Sequence, residues 1–139
     1  MSEVSIAGRP RPLPDGAVRR VVEAVLAGEA AGAARISVTF LGREPMRRLN
    51  REYKGHDRPT DVIAFALATP AGDPVGDVYV CPWVARREAA ARRVPFRQEL
   101  IRLLVHGTLH VLGHEHPEDG RRERSPMWRR QERYVGRLA

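Results

Sequence analysis

Cysteine and long apolar runs are scarce in this chain of 139 residues. The single cysteine, Cys81, has no partner for an internal disulfide and cannot build a cysteine-based zinc site alone, which favours a reducing compartment. We expect it to act as a small apolar residue. No stretch approaches the roughly 18 apolar residues of a membrane helix, and residues 1–14 lack the apolar run of a signal peptide. The sequence therefore predicts a cytoplasmic protein with no membrane partner.

Lysine and aromatic residues are also rare. Lys54 is the one lysine among 24 positive side chains, and the net charge is +7. A positive field favours polyanionic partners such as nucleic acid, although a genomic bias toward arginine explains the charge equally well. The aromatic share is 6%, and no set of aromatic residues forms a stacking platform that would predict a base preference. Charge therefore supports a nucleic-acid substrate only if a site agrees with it.

The length and the apolar pattern predict one α+β domain over residues 1–139. Alternating apolar residues favour strands, which we expect at Val4–Ala7, Arg35–Phe40, Thr60–Leu67 and Gly76–Cys81. Stripes with helical spacing favour helices, which we expect from Asp15 to the glycines at 28–32, at Glu44–Tyr53, Pro82–Arg93, Pro95–Leu112 and Pro126–Leu138. Residues 68–74 read as a turn. The elements fit a mixed sheet covered by about five helices.

Two helix starts have recognisable caps. Asp15 can cap the first helix, and Ser125 followed by Pro126 is typical of a cap and first-turn proline. The helix after Pro95 is apolar almost all round, so we expect it to be the most buried.

Four of the five histidines lie within eleven residues, on or just after this buried helix. Two histidines four residues apart, His106 and His110, project from one helical face and can bind the same metal ion. Gly113 can adopt the left-handed conformation that ends a helix, which would return His116 to that ion. His114 could replace His116 only if the helix continued. The sequence predicts a metal site at the end of the helix, with an open position for hydrolysis.

The spacing is that of metzincin proteases, but Gly107 stands where those enzymes place a glutamate general base, which counts against a peptidase. A metal can still polarise a phosphoryl or carbonyl oxygen. The sequence identifies no proton acceptor, and the acids considered for that role are Glu99, Glu115, Glu118 and Asp119. Glu99 is better explained as a buried partner within its helix. Three imidazoles would also accept nickel, copper or cobalt.

Three blocks resemble the YbeY endoribonucleases. In chain order they are Leu49-Asn50 with Pro59-Thr60-Asp61-Val62, Gly76-Asp77-Val78, and His106-Gly-Thr-Leu-His110-Val-Leu-Gly113-His-Glu-His116. The histidine block is specific, and the other two support it. The resemblance implies a mixed four-stranded sheet, one Zn²⁺ on His106, His110 and His116, and cleavage of single-stranded RNA. It also implies maturation of small-subunit (16S) ribosomal RNA and ribosome quality control, with ribosomal RNA and the ribosome or small-subunit proteins as partners.

The resemblance also assigns candidate catalytic residues, Lys54 and Glu115. Lys54 stands where the family usually has an arginine facing the cleft, and lysine keeps the charge but lacks the planar fork that binds phosphate through two nitrogens. Arg51 and Arg58 could share the phosphate contact. Glu115 replaces the usual aspartate before the last histidine, and Ala64 replaces a usual serine.

Two other functions compete with a nuclease. One is a metal-dependent hydrolase of another substrate, such as a peptide or small amide. The other is a noncatalytic ribosome-assembly or RNA-binding module with a structural zinc, in which His114 or Glu115 would close the site as a fourth ligand. The sequence does not distinguish water from the ribose 2′-hydroxyl as the nucleophile, and it does not define the oligomeric state.

Overall fold

Four strands form one mixed sheet in the computed structural model, which describes residues 2–67, 69–70, 72–117 and 120–139. The strands are β1 (Glu3–Gly8), β2 (Arg35–Phe40), β3 (Val62–Leu67) and β4 (Val75–Val80). Their order across the sheet is β1-β2-β4-β3. Strand β2 pairs in parallel with β1 and β4, whereas β3 is antiparallel to β4. The predicted α+β fold with a mixed four-stranded sheet is confirmed.

Five α-helices surround the sheet in the described ranges. They are α1 (Asp15–Gly28), α2 (Arg43–Lys54), α3 (Pro82–Arg92), α4 (Phe96–Val111) and α5 (Pro126–Leu138), and a short 3-10 helix, Arg122–Arg124, precedes α5. These bounds agree with the predicted ones to within one or two residues. None of the helices in the described part of the chain combines the length and apolar character that a membrane span requires.

The two predicted helix caps have different outcomes. The prediction that Asp15 caps α1 is wrong, because Pro14 occupies the cap position and Asp15 is the first helical residue. The Asp15 carboxylate instead accepts a hydrogen bond from Arg11 at 2.8 Å, and it still lies favourably at the positive end of the helix dipole. The Ser125 cap is confirmed, since its Oγ accepts a hydrogen bond from the Trp128 amide at 3.2 Å.

Helix α4 lies at the centre of the fold. Every residue from Glu99 to Leu109 is buried, and α4 contacts α1, α3, α5, β3 and β4. The main core lies between these elements. Because side chains alternate across a strand, Val62 contacts this core while Ile63 packs into a second cluster with Met46 and Cys81. Burial of Cys81 confirms its apolar role.

The turn predicted at residues 68–74 falls partly outside the described residues, at Ala68 and Ala71. Within it, the Gly72 amide donates a hydrogen bond to the Thr69 carbonyl at 3.1 Å. The chain reverses here between the antiparallel strands β3 and β4.

Candidate metal centre

The last two turns of α4 present two imidazoles on one face. His106 is buried and His110 is half-buried, and their ring centroids lie 4.6 Å apart. The predicted spacing of four residues produces this geometry, because residues i and i+4 lie above one another on a helix.

The chain then reverses at Gly113, which has φ +99°. The Gly113 amide donates to the His110 carbonyl at 3.0 Å, and the His114 amide donates to the Leu109 carbonyl at 3.0 Å. This pair of hydrogen bonds is a Schellman motif, which needs a left-handed residue and therefore favours glycine. The reversal brings the His116 ring within 5.0 Å of His106 and 4.9 Å of His110, measured between centroids.

The three histidines form a group that can hold one metal ion. One nitrogen from each of His106, His110 and His116 lies within 4.8 Å of the other two. The predicted triad is therefore brought together, and three imidazoles suit a metal ion that retains an exchangeable position.

Hydrogen bonds fix which ring nitrogen is free. His106 Nδ1 lies 2.6 Å from Gln131 Oε1, and His116 Nδ1 lies 2.9 Å from the Pro117 carbonyl oxygen. Both oxygens can only accept, so each Nδ1 carries the proton and each Nε2 is left with its lone pair. Partners of this kind orient metal-binding histidines in general.

Burial keeps two of the imidazoles neutral. Desolvation, followed by the charge of His110, lowers the pKa of His106 to about 3. Desolvation, followed by the charge of His116, lowers the pKa of His110 to about 4. Both rings are neutral at pH 7, and a neutral imidazole is the form that binds a metal.

His114 lies outside the triad. Its Nε2 is 2.9 Å from Glu29 Oε1 at the end of α1, and Glu29 also accepts hydrogen bonds from Tyr134 and Arg130. The expectation that Gly113 prevents His114 from replacing His116 is confirmed. The His114–Glu29 contact instead anchors the loop that carries His116.

The triad lies in a cleft of about 520 Å³. The side chains that line it include three cations besides the histidines, Lys54, Arg58 and Arg122. The walls are formed by residues from α2, the loop after it, β3, α4, the loop after α4 and the 3-10 helix, namely Asn50, Lys54, His56, Arg58, Thr60, Asp61, Val62, Ile63, Ala64, His106, His110, His116 and Arg122. A cationic cleft around a metal site suits a phosphodiester substrate.

Comparison with known proteins agrees with this geometry. A family model described as endoribonuclease YbeY matches residues 13–139. The chain belongs to the YbeY family. It is 37% identical to the endoribonuclease YbeY of Chlorobium luteolum over 92% of this chain and 91% of that one. It is 36% identical to the endoribonuclease YbeY of Geobacter sulfurreducens over 90% and 88% of the two chains.

A solved structure is similar over nearly the whole chain. The solution structure of a Thermotoga maritima protein matches with a TM-score of 0.69 and 27% identity, over 97% of this chain and 88% of that one. The predicted membership of the YbeY family is confirmed, and so is the enzyme class, an endoribonuclease that hydrolyses RNA.

The structure explains why this YbeY-family site has no glutamate after its first histidine. A Cβ atom on Gly107 would lie 2.5 Å from Val78 Cγ1 and 3.2 Å from its Cγ2. This turn of α4 therefore lies directly on β4, and position 107 points into the sheet rather than into the cleft. A general base in this site must come from another element.

The candidate catalytic residues occupy different places. Lys54 lines the cleft, and its positive charge contributes to the lowered pKa of His110. Glu115 is exposed on the loop and is not one of the cleft-lining residues. Glu118 and Asp119 lie outside the described residues. Arg58 lines the cleft, whereas Arg51 does not line it and is exposed.

Glu99 is a buried ion-pair partner, as expected. Its carboxylate accepts a hydrogen bond from Arg102 at 2.8 Å and lies 3.6 Å from Arg92 Nε. Arg102 also donates to Glu132, whose Oε2 accepts from Gln131 Nε2 at 3.0 Å. A polar network therefore runs from the interior of α4 through α5 to the amide that holds His106.

Two site residues are absent from the sequence-based candidates. Gln131 contacts His106 and Arg122 lines the cleft. The signal for Gln131 is a glutamine on the inward face of an amphipathic helix. Arg122 stands in a run of arginines with no pattern that separates it from its neighbours.

Proposed function

We propose that the chain is a zinc-dependent endoribonuclease that cleaves single-stranded RNA. Its substrate is small-subunit (16S) ribosomal RNA, its processes are maturation of that RNA and ribosome quality control, and it works in the cytoplasm with the ribosome or small-subunit proteins. Residues 1–139 act as one catalytic domain. The observation that carries the proposal is the placement of three convergent imidazoles beside Lys54 and Arg58 in one open cleft.

The donor set fits zinc. Zn²⁺ is commonly bound by neutral imidazoles, and a site with three protein ligands keeps an exchangeable position. Among the described residues the group contains only the three histidines, since His114 contacts Glu29 and Glu115 is exposed. An open site supports hydrolysis over a purely structural zinc.

The residues of the cleft have separate roles in metal binding and in RNA binding. A bound Zn²⁺ would supply a Lewis acid that stabilises negative charge on phosphate oxygens. His106, His110 and His116 hold the ion, and Gln131 keeps the His106 ring in the required tautomer. Lys54 and Arg58 bind the RNA backbone, because fixed cations in a partly enclosed site stabilise the charge that develops as the phosphodiester is cleaved.

Metal content and RNA cleavage, measured together, test the proposal. We expect the purified protein to hold one zinc ion per chain and to cut a single-stranded RNA but not a duplex of the same sequence. Chelation and His110→Ala should each abolish cleavage, and His110→Ala should also lose the ion. His56→Ala is the matched control, since this exposed histidine lines the cleft outside the triad and should leave the ion in place.

The outcomes separate the competing functions. Stoichiometric zinc without cleavage of any single-stranded RNA would favour a noncatalytic module with a structural metal. To test the target, an RNA spanning the junction between mature 16S and its flanking precursor should be cut faster than an unrelated strand of the same length. Equal rates would refute the 16S assignment and leave the nuclease activity standing.

A further inference from the structure

Arg122 occupies a fixed position in the wall of the cleft. It is the first residue of the 3-10 helix between the histidine loop and α5. Its backbone carbonyl accepts a hydrogen bond from Ser125 Oγ at 2.7 Å, and its guanidinium carbon lies 5.9 Å from the centre of the Trp128 ring. The cap of α5 and an aromatic face therefore hold this arginine beside the histidines.

The Arg122 side chain has an unsatisfied donor. Its Nε is buried and has no hydrogen-bond partner, and in the described part of the chain no other buried side-chain nitrogen or oxygen lacks one. Asp61 and Glu99 line a small adjoining cavity together with Arg122, yet Nε bonds to neither carboxylate. A buried N–H without a partner is costly and needs an explanation, and an acceptor supplied by a ligand is one.

Arg122 lies beside the metal site. It lines the same cleft as His106, His110 and His116, so its positive charge lies close to the position of the ion. Two cations held side by side repel each other, and an anion between them offsets that repulsion. A phosphate in the cleft would supply such an anion and would also accept a hydrogen bond from the Arg122 Nε–H.

We propose that Arg122 is a phosphate-binding residue whose Nε–H donates to a non-bridging oxygen of the phosphodiester in the cleft. The inference rests on the proposed function, because it takes the cleft to hold RNA. Arg122 comes from a different element than Lys54, which ends α2. The planar guanidinium can present two N–H groups to one phosphate, whereas the Lys54 ammonium acts as a compact point charge.

Equilibrium binding of RNA as a function of salt tests the role of Arg122. The probe is a single-stranded 2′-O-methyl RNA, checked to remain intact, with the zinc-loaded protein. Arg122→Ala should weaken binding by about 10-fold and should reduce the slope of log affinity against log salt by about 0.7, the value for one lost phosphate contact on a single strand. Arg124→Ala is the matched control, an exposed arginine of the same 3-10 helix, and should leave affinity and slope near those of the wild type.

A second variant separates the hydrogen bond from the charge. Arg122→Lys keeps the charge but lacks the Nε donor, so the salt slope should persist while kcat for RNA cleavage falls. Arg122→Lys also tests the proposal if Arg122→Ala does not fold, as judged by circular dichroism and zinc content. If Arg122→Lys cleaves as fast as the wild type, or if Arg122→Ala binds with unchanged affinity and slope, the proposal for Arg122 is wrong.

The two proposals fail in distinguishable ways. If the wild type binds RNA but does not cut it, the nuclease proposal fails, and loss of binding in Arg122→Ala still supports phosphate recognition. If the wild type cuts RNA and Arg122→Ala behaves like Arg124→Ala, the nuclease proposal stands and the role of Arg122 is refuted.

Discussion

His106 Nδ1 and Gln131 Oε1 lie 2.6 Å apart, although 25 residues separate them in the chain. Gln131 is buried on α5, and its Nε2 donates to Glu132 Oε2 at 3.0 Å. That second hydrogen bond leaves Oε1 facing the imidazole, so His106 must carry its proton on Nδ1. The lone pair of Nε2 is then directed toward the group formed with His110 and His116.

Replacing Gln131 should therefore weaken metal binding without removing a ligand. Gln131→Met keeps the volume and loses the acceptor, and we expect zinc affinity to fall by about 10- to 100-fold, the usual effect of losing such a partner. Competition with a chromophoric chelator measures this affinity. Gln131→Glu keeps an acceptor oxygen and should retain most of it.

The other glutamine of the chain provides a control. Gln98 lies near the start of α4, away from the cleft-lining residues, and Gln98→Met should bind zinc as the wild type does. Equal zinc affinities in Gln131→Met and Gln98→Met would show that the contact with Gln131 does not determine the His106 tautomer.

Gly107 should be intolerant of even one methyl group. A Cβ there would lie 2.5 Å from Val78 Cγ1, so Gly107→Ala should lower the free energy of unfolding by about 1–3 kcal/mol, the range for overpacked cores. Urea denaturation of the metal-free protein measures the change. At Gly136 of α5, no atom lies within 4 Å of an added Cβ, and Gly136→Ala should be stabilising by about 0.5–1 kcal/mol. Destabilisation of the same size in both variants would contradict a packing origin.

Local sequence was enough to predict the triad and most elements. The spacing of His106 and His110 depends only on helix geometry, and Gly113 marks the reversal that returns His116. The apolar periods likewise locate the strands and helices to within one or two residues. These features depend on residues that lie close together in the sequence, so a sequence pattern is enough to predict them.

Contacts between distant residues were not predictable in this way. Glu29 and His114 are 85 residues apart, and their contact exists because α1 and α4 pack side by side. The buried Nε of Arg122 is likewise a result of tertiary packing. The error at Asp15 is local instead, because Pro14 occupies the cap position and the Asp15 carboxylate pairs with Arg11, four residues before it.

Lys54 should contribute to RNA cleavage but not to metal binding. Lys54→Ala should raise KM for single-stranded RNA and leave zinc content unchanged, because the side chain lines the cleft outside the triad. Lys54→Arg restores the charge and adds a planar fork, so its KM should be at or below that of the wild type. Steady-state kinetics at several salt concentrations check both variants. Cleavage by Lys54→Ala that matches the wild type at every salt concentration would remove this residue from the phosphate-binding set.

Glu29 should make the free energy of unfolding depend on pH in the acidic range. Its burial raises the pKa of the carboxyl, but hydrogen bonds from Tyr134, His114 and Arg130 outweigh burial and bring the pKa below its usual value of 4.5. A carboxyl whose pKa is lower in the folded state than in the unfolded state stabilises the fold at pH values above its unfolded-state pKa. That contribution is lost as the pH falls through its folded-state pKa.

The gap in stability between wild type and Glu29→Gln should therefore be largest near neutral pH and shrink as pH drops below 4.5. Chemical denaturation with chelator present, at steps from about pH 7 to about pH 3, measures this gap without a contribution from metal binding. Glu23→Gln is the matched control, because it makes the same change at an exposed position of α1 and should differ little from the wild type throughout. A gap for Glu29→Gln that stays constant across this range would mean that the carboxylate charge adds nothing to the contacts of Glu29.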